Sequence, residues 1–290
     1  MEIVERLKRN GAKKIFIQYP EGLKLKVQEI SKQLEKEGFE TIICCESCFG
    51  ACDIRDTEAQ RFGCDTILHI GHSDAGIKST VPVEYWDYFL VANPISILKK
   101  YIDKLEKFGK IGLVTSIQFV KQMKDVEEYL KKIGKEVYLH KSLKYHGQII
   151  GCNLDAAKKI ENKVDCFLYV GAGKFHPLGV ALNVKKPVFS LDLEKNIIYS
   201  LDDEKKKYLK KKAWYDSKLK DAKKVGILVC WKHGQNKINE ARKLKKNLEK
   251  EGKEVYIFAF DEITDAKLEG LKFDCLVNLA CPRLDREIHL

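Results

Sequence analysis

Lys110-Ile111-Gly112-Leu113-Val114 is a short apolar run that begins with one lysine, and the same pattern occurs twice more along the chain. The equivalent runs are Lys14-Ile15-Phe16-Ile17 and Lys224-Val225-Gly226-Ile227-Leu228-Val229. Each is followed by a helical stretch, by a second apolar run that opens on glycine, and by a third that opens on aspartate. A pattern that recurs three times predicts three copies of one structural unit.

The strand-like runs are nearly continuous in apolar residues, which is typical of parallel strands covered by helices on both faces. The sequence therefore predicts an α/β fold of three similar Rossmann-like parallel-sheet domains, in a pseudo-threefold arrangement. We place the domains at residues 1–108, 109–221 and 222–290, and the third is the smallest. The first two domains are expected to have a further strand each, at Tyr88–Val91 and Pro187–Leu191.

Composition bounds the class of protein. The 290-residue chain opens on Met1, Glu2, Glu5 and Arg6 without a signal-peptide pattern, and it has no apolar run long enough to cross a bilayer. We therefore expect a soluble, cytoplasmic protein that does not contact membranes. The net charge of +11 is compatible with nucleic acid, an acidic protein or an acidic electron donor as a partner. Most lysine runs lie on helical stretches, where a solvated face is the simpler interpretation.

Ten cysteines in a cytoplasmic chain point away from a disulfide framework and toward metal binding or catalysis. Ligands of parallel α/β sheets bind beyond the carboxyl ends of the strands. Each repeat has one cysteine in such a loop, namely Cys52, Cys152 and Cys281. Three thiolates suit an iron-sulfur cluster that keeps one iron without a protein ligand. If the three domains pack with these edges inward, the three sulfurs can meet at one centre.

Two other interpretations of the cysteines stay open. Cys45, Cys48 and Cys52, with or without Cys44, could bind a metal locally, although no second pair of ligands follows at zinc-finger spacing. Alternatively the cysteines are structural, as expected for those that lie in or next to apolar strands. That last group consists of Cys64, Cys166, Cys230 and Cys275.

Five short motifs resemble those of the archaeal diphthamide biosynthesis enzymes. They are Phe49-Gly50-Ala51-Cys52-Asp53 followed by Asp56, Gly71-His72-Ser73, Ile150-Gly151-Cys152-Asn153, Lys232-His233-Gly234-Gln235 and Ala280-Cys281-Pro282-Arg283-Leu284. The resemblance begins at Tyr19-Pro20-Glu21-Gly22-Leu23 and continues in order to Leu284, nearly the whole chain. No single motif is specific, but the ordered set with one cysteine in each repeat is.

The resemblance implies a homodimeric, non-standard radical S-adenosylmethionine enzyme with a 4Fe-4S cluster on Cys52, Cys152 and Cys281. It implies that an electron donor reduces the cluster, and that S-adenosylmethionine is cleaved to methylthioadenosine and a 3-amino-3-carboxypropyl radical. The radical would attack an imidazole carbon of one histidine in translation elongation factor 2. This transferase reaction is the first step of diphthamide synthesis.

Several polar residues near strand ends are candidate contacts for the substrate. Gln235, Arg283 and Ser73 are expected to bind S-adenosylmethionine, since an arginine can pair with a carboxylate through two hydrogen bonds. His72 and His233 are candidate catalytic residues that contact substrate or move a proton from the modified imidazole. For Gln235 and Arg283, a solvated loop amide and a surface ion pair are equally simple interpretations. For His72 and His233, a loop histidine bonded to the backbone is the simpler one.

Three further features are expected to stay outside the site. His176 lies in a glycine-rich turn, Gly171-Ala172-Gly173-Lys174-Phe175-His176-Pro177, that we interpret first as shape-forming and only second as an adenosine contact. Tyr85-Trp86 and Trp214-Tyr215 are interpreted as core aromatics.

Two rival functions remain. One is a quinolinate-synthase-like dehydratase, in which the open iron acts as a Lewis acid on a small dicarboxylate. The other is a basic nucleic-acid-binding protein with a local zinc module at residues 44–52. The sequence has no interleaved aromatic and basic recognition motif, so direct nucleic-acid binding is not expected.

Overall fold

Three β-sheets, one for each sequence repeat, form the framework of the structure, which is a computed structural model that describes residues 2–284. The strand orders are β2-β1-β3-β4, β6-β5-β7-β8-β9 and β11-β10-β12. In every sheet the first strand of the repeat lies between the second and the third. All strand pairs are parallel except β8 with β9. The expected α/β class with three parallel sheets is therefore confirmed.

The first sheet has helices on both faces. Its elements are α1 (Glu2–Arg9), β1 (Lys14–Gln18), α2 (Lys24–Lys36), β2 (Glu40–Ile43), α3 (Asp56–Arg61), β3 (Thr66–Ile70) and β4 (Val83–Trp86). One apolar cluster packs α1 and α2 against the sheet, and another packs α3 against the opposite face. All five residues of β3 are buried, as expected for a strand covered on both sides.

The second sheet is the largest and closes with an antiparallel strand that the sequence did not indicate. Its elements are α4 (Pro94–Tyr101), β5 (Lys110–Thr115), α5 (Met123–Lys132), β6 (Glu136–Tyr138), α6 (Asp155–Lys158), β7 (Cys166–Gly171), α7 (Phe175–Asn183), β8 (Val188–Asp192), β9 (Ile197–Ser200) and α8 (Asp202–Asp221). The predicted strand at Pro187–Leu191 is confirmed as β8. Trp214 on α8 is exposed rather than in a core, so that expectation was wrong.

The third sheet is the smallest of the three in the described part of the chain. Its elements are β10 (Lys224–Cys230), α9 (Ile238–Lys250), β11 (Glu254–Phe260), α10 (Asp265–Leu268) and β12 (Cys275–Asn278). Short 3-10 turns link several elements of the fold, including His233–Gln235 directly after β10. Within residues 2–284, no helix is both long and apolar enough to span a bilayer.

Charged pairs recur at equivalent positions at the amino ends of the sheets. In each repeat the opening lysine of the first strand is in register with a glutamate of the second, at nitrogen–oxygen distances of 3.0, 4.0 and 3.3 Å. The aspartate before the third strand accepts a hydrogen bond of 2.8–3.0 Å from the backbone N–H of that lysine. These aspartates are Asp65, Asp165 and Asp274. The repeated Lys, Glu and Asp therefore mark the same strand register in all three sheets, at the strand ends opposite the cysteine loops.

Two boundaries differ from the sequence-based expectation. The strand expected at Tyr88–Val91 is wrong, because the fourth strand is Val83–Trp86, which pairs with β3 up to Ile70. Packing divides the chain into two compact units that separate after Leu90, and α4 belongs to the core of the second sheet. The expected boundary at residues 108/109 therefore lies within the second unit. The division into three domains stays a prediction.

Candidate active site at the carboxyl ends of the strands

The loop that carries Cys52 is fixed by a buried glutamine. Gln18 ends β1 and is 1 % exposed. Its Nε2 donates to the backbone carbonyl of Asp53 at 3.0 Å, and its Oε1 accepts from the backbone N–H of Arg55 at 3.0 Å. Buried backbone groups that lose such partners destabilise a fold. Gln18 therefore holds the segment that directly follows Cys52 onto the end of the central strand.

Buried charges continue this support into α3. The Asp53 carboxylate lies 3.6 Å from Nε of Arg55, and both side chains are nearly inaccessible. Asp56 is 1 % exposed and accepts hydrogen bonds from the backbone N–H and the hydroxyl of Thr80, at 2.7 and 2.9 Å. Because buried charges need such partners, they constrain the backbone on the carboxyl side of Cys52.

Cys152 lies in a tight turn of the second sheet. Ile150 and Asn153 exchange backbone hydrogen bonds of 3.0 and 3.1 Å, so the two residues between them form the tip of the turn. The Asn153 side chain accepts from the backbone N–H of Asp155 at 3.0 Å, which ties the turn to the start of α6. Cys152 itself is exposed at this tip.

Gly151 is required in that turn by close packing. A Cβ at this position would lie 2.5 Å from carbon atoms of the Phe175 ring, closer than real contacts allow. Phe175 opens α7, directly after the glycine-rich turn. The neighbouring His176 stacks on buried Tyr169 with ring centroids 6.2 Å apart. The Phe175 ring thus packs against the Cys152 loop. The shape-forming role of the glycine-rich turn stays a prediction.

Cys281 follows β12 in a turn held by Asn278. The Asn278 side chain accepts from the backbone N–H of Ala280 and donates to the carbonyl of Cys281, both at 2.9 Å. The same carbonyl accepts the backbone N–H of Leu284 at 3.0 Å. Each of the three sheets therefore has at least one cysteine in a loop at the carboxyl ends of its strands, and carboxamide side chains support these loops.

The ten thiols fall into chemically different groups. Burial raises the pKa of Cys44, Cys64 and Cys275, and it raises the pKa of Cys166 to about 12. Burial disfavours the thiolate form of these four cysteines and restricts access to their sulfurs, so they are less suited to bind a metal than the accessible thiols are. In contrast, Cys45 and Cys152 are exposed, and Cys52 and Cys281 are partly exposed. One accessible loop thiol taken from each sheet, Cys52, Cys152 and Cys281, would fit the donor set of an iron-sulfur cluster with one iron open.

The structure does not bring Cys45, Cys48 and Cys52 together as the ligands of a local metal site. Within residues 2–284, the three potential ligands that lie within 4.8 Å of one another are Cys48, His69 and His72. Cys45 is exposed. Cys48 instead points its sulfur to within 3.8 Å of Nε2 of His69.

The other candidate residues lie at the expected edges of their own sheets. His72 and Ser73 follow β3, and Ser73 is buried. His233 and Gln235 belong to the turn after β10, and Arg283 lies two residues beyond Cys281. Because β10 and β12 pair in parallel, their following loops share one edge of the third sheet. The roles of these residues stay predictions.

Sequence reasoning missed three residues at these edges. Gln18 and Asn278 each end a largely apolar strand, and His69 lies inside one. Their sequence signal is a polar residue in or at the end of an apolar strand, because a buried polar side chain needs a specific hydrogen-bond partner. The identity of that partner requires the fold.

Three mostly parallel sheets covered by helices, each followed at its carboxyl edge by a loop that contains cysteine, define the class as α/β proteins. Residues 19–286 match the family described as "Putative diphthamide synthesis protein". The chain therefore belongs to the diphthamide synthesis family. The family predicted from the motifs is confirmed.

Curated relatives agree along almost the whole chain. The 2-(3-amino-3-carboxypropyl)histidine synthase of Pyrococcus horikoshii is 35% identical over 98% of this chain and 82% of its own length. The enzyme of the same name from Methanocaldococcus jannaschii is 30% identical over 97% of this chain and 80% of its own. The crystal structure of Dph2 from Pyrococcus horikoshii with a 4Fe-4S cluster aligns with a TM-score of 0.90 and 34% identity, over 98% of this chain and 84% of that one. The family is one of transferases, and the chain is an enzyme of that kind.

Proposed function

We propose that this chain transfers the 3-amino-3-carboxypropyl group of S-adenosylmethionine to an imidazole carbon of one histidine in translation elongation factor 2. The observation that carries the proposal is the near-complete alignment with a cluster-containing relative, and an accessible loop cysteine at the edge of every sheet supports it. The names of the curated relatives give the product, an aminocarboxypropyl-modified histidine, whereas S-adenosylmethionine and the elongation factor are proposed from the family resemblance.

Cys52, Cys152 and Cys281 would hold the 4Fe-4S cluster, one ligand from each repeat. When bound, such a cluster supplies the electron for reductive cleavage of a carbon–sulfur bond of S-adenosylmethionine. The protein contributes position, because the sulfonium has three carbon–sulfur bonds and the product depends on which one is cleaved. Loops pinned by Gln18 and Asn278 suit this task, since their hydrogen bonds restrict where the thiolates lie.

Arg283, Gln235 and Ser73 are the proposed contacts for S-adenosylmethionine. Arg283 follows a proposed ligand by two residues, and its planar guanidinium can bind a carboxylate through two parallel hydrogen bonds. Gln235 lies in the turn at the same edge of the third sheet and offers both a donor and an acceptor. His72 and His233 are the proposed histidines next to the reacting groups.

The proposed partners follow from the same reaction. The elongation factor is a protein substrate, and a separate electron donor reduces the cluster. The net charge of +11 favours acidic surfaces on both partners. The enzyme is proposed to act as a homodimer in the cytoplasm, where the elongation factor works.

The test is an anaerobic reaction of the clustered protein with S-adenosylmethionine, dithionite and elongation factor 2. The expected products are methylthioadenosine and a factor with one aminocarboxypropyl-modified histidine, both measured by mass spectrometry. A matched control is C45A, which alters an exposed cysteine outside the proposed ligands and should retain both products. A fully clustered sample that forms no methylthioadenosine, but converts a small dicarboxylate, would favour the quinolinate-synthase-like alternative.

A further inference from the structure

A pair of neighbouring histidines, one buried and one partly exposed, lies at the carboxyl end of β3, in the first unit. His69 is fully buried, and its Nε2 lies 3.0 Å from Nδ1 of His72. The two rings are 5.2 Å apart at an angle of 52°, and Cys48 places its sulfur 3.8 Å from the same Nε2. The other nitrogen, Nδ1 of His69, is buried without a hydrogen-bond partner in the part of the chain that the structure describes.

His69 is neutral in this environment. Burial lowers its pKa well below the usual value, and the neighbouring His72 lowers the pKa further. A neutral imidazole has one proton, and the contacts of its two nitrogens decide which of them carries it.

The contacts of His69 favour the proton on Nε2. A proton on Nδ1 would create a buried N–H donor with no acceptor, which loses its hydration without compensation. A proton on Nε2 donates to Nδ1 of His72, at a normal hydrogen-bond distance. The bare Nδ1 is then an unused acceptor, which structures tolerate better than an unused donor.

We infer that His69 is a positioning residue that holds His72 in the tautomer with its proton on Nε2. In this form His72 presents an N–H donor, and it is therefore suited to bind an anionic oxygen such as a carboxylate, not to remove a proton. This inference deepens the proposed function. That the bound carboxylate is the one of S-adenosylmethionine rests on the proposed function. The proton assignment itself is independent of the reaction.

A zinc ion on Cys48, His69 and His72 is the competing interpretation of the same atoms. Coordination through Nε2 of His69 would move the proton to Nδ1, where no partner receives it. Histidines that bind metal almost always donate this second N–H to a carboxylate, a carbonyl or water. The geometry therefore favours the hydrogen-bonded pair.

Nitrogen NMR of the full-length protein reads the tautomer directly. We would label histidine with ¹⁵N, purify the protein anaerobically and assign the signals of His69 and His72 by their loss in H69Q and H72Q. For both residues the expected spectrum shows a protonated Nε2 and an unprotonated Nδ1. The opposite tautomer, a doubly protonated His72, or stoichiometric zinc that C48A releases would overturn the inference.

Paired substitutions test the consequence for ligand binding. In H69Q an amide N–H can replace the donor at Nε2, whereas H69L removes it. We expect H69L to raise the KM for S-adenosylmethionine about tenfold with a smaller effect on kcat, and H69Q to remain within about threefold of the parent. In the same way, H72Q keeps a hydrogen-bond donor and H72E offers only acceptors. We therefore expect H72Q to bind S-adenosylmethionine more tightly than H72E does.

The outcomes separate the two proposals. Equal defects in H69Q and H69L, or tighter binding by H72E than by H72Q, would contradict donation by His72. If the parent protein forms no methylthioadenosine, the proposed function fails, and the NMR spectrum still decides the tautomer. The comparison of KM with kcat distinguishes a lost ligand contact from general damage to the fold.

Discussion

Replacing Gln18 with leucine should loosen the Cys52 loop more than it perturbs the rest of the protein. The substitution keeps a side chain of similar size in a site that is 1 % exposed. It removes the partners of two buried backbone groups, the carbonyl of Asp53 and the N–H of Arg55. Each unsatisfied group costs about 1–3 kcal/mol, which gives about 2–6 kcal/mol for the pair.

Hydrogen–deuterium exchange of the peptide that spans residues 52–56 measures this cost where it arises. If the loop opens locally, even about 2 kcal/mol corresponds to roughly 30-fold faster exchange at Arg55. Iron bound after anaerobic reconstitution should fall in Q18L, because Cys52 is no longer held in place.

The matched control is L34A, which removes a fully buried side chain of α2 at a cost of about 2–5 kcal/mol. It should destabilise the same unit without lowering the iron content. Unchanged exchange in Q18L, or equal loss of iron in both variants, would refute the role given to Gln18.

Two further predictions concern the Cys152 loop. G151A should lower bound iron, because the added methyl meets the Phe175 ring at 2.5 Å, and the second substitution F175L should restore part of it; retention of full iron by G151A would contradict the packing argument. In cluster-free protein, iodoacetamide should modify exposed Cys45 and Cys152 but not Cys166, whose pKa burial raises to about 12. Reconstitution should then protect Cys152 and leave Cys45 reactive, as mass spectrometry of the peptides would show, whereas protection of Cys45 would indicate a local metal site.

The sequence was sufficient for the three sheets because apolar runs and their flanking charges repeat with the structure. Lys14, Glu40 and Asp65 illustrate this, since they contact one another at the amino ends of the strands and have counterparts in the other two sheets. The strand predicted at Tyr88–Val91 was wrong because these apolar residues have a high strand propensity but lie beyond the last paired residue of β4. In the register of β3 with β4, Ile70 already pairs with Trp86, so the sheet ends before Tyr88. Propensity alone does not determine how far a partner strand extends.

The candidate site was predictable to the level of loops. The rule that ligands bind beyond strand ends selected the segments of Cys52, Cys152 and Cys281 without coordinates. It did not select Gln18, because its partners lie 35 and 37 residues away in sequence and become neighbours only through folding. It also did not select His69, because a histidine inside a buried strand resembles a structural residue until its contact with His72 is seen.

The central claim is that thiols from three distant segments bind one cluster. The most direct measurement is iron and sulfide analysis, with the anaerobic absorption spectrum, of C52A, C152A and C281A beside the control C45A. We expect all three variants to lose most of their iron and the brown absorbance, while C45A retains both. Full iron content in C152A and C281A would contradict a site shared by the three repeats.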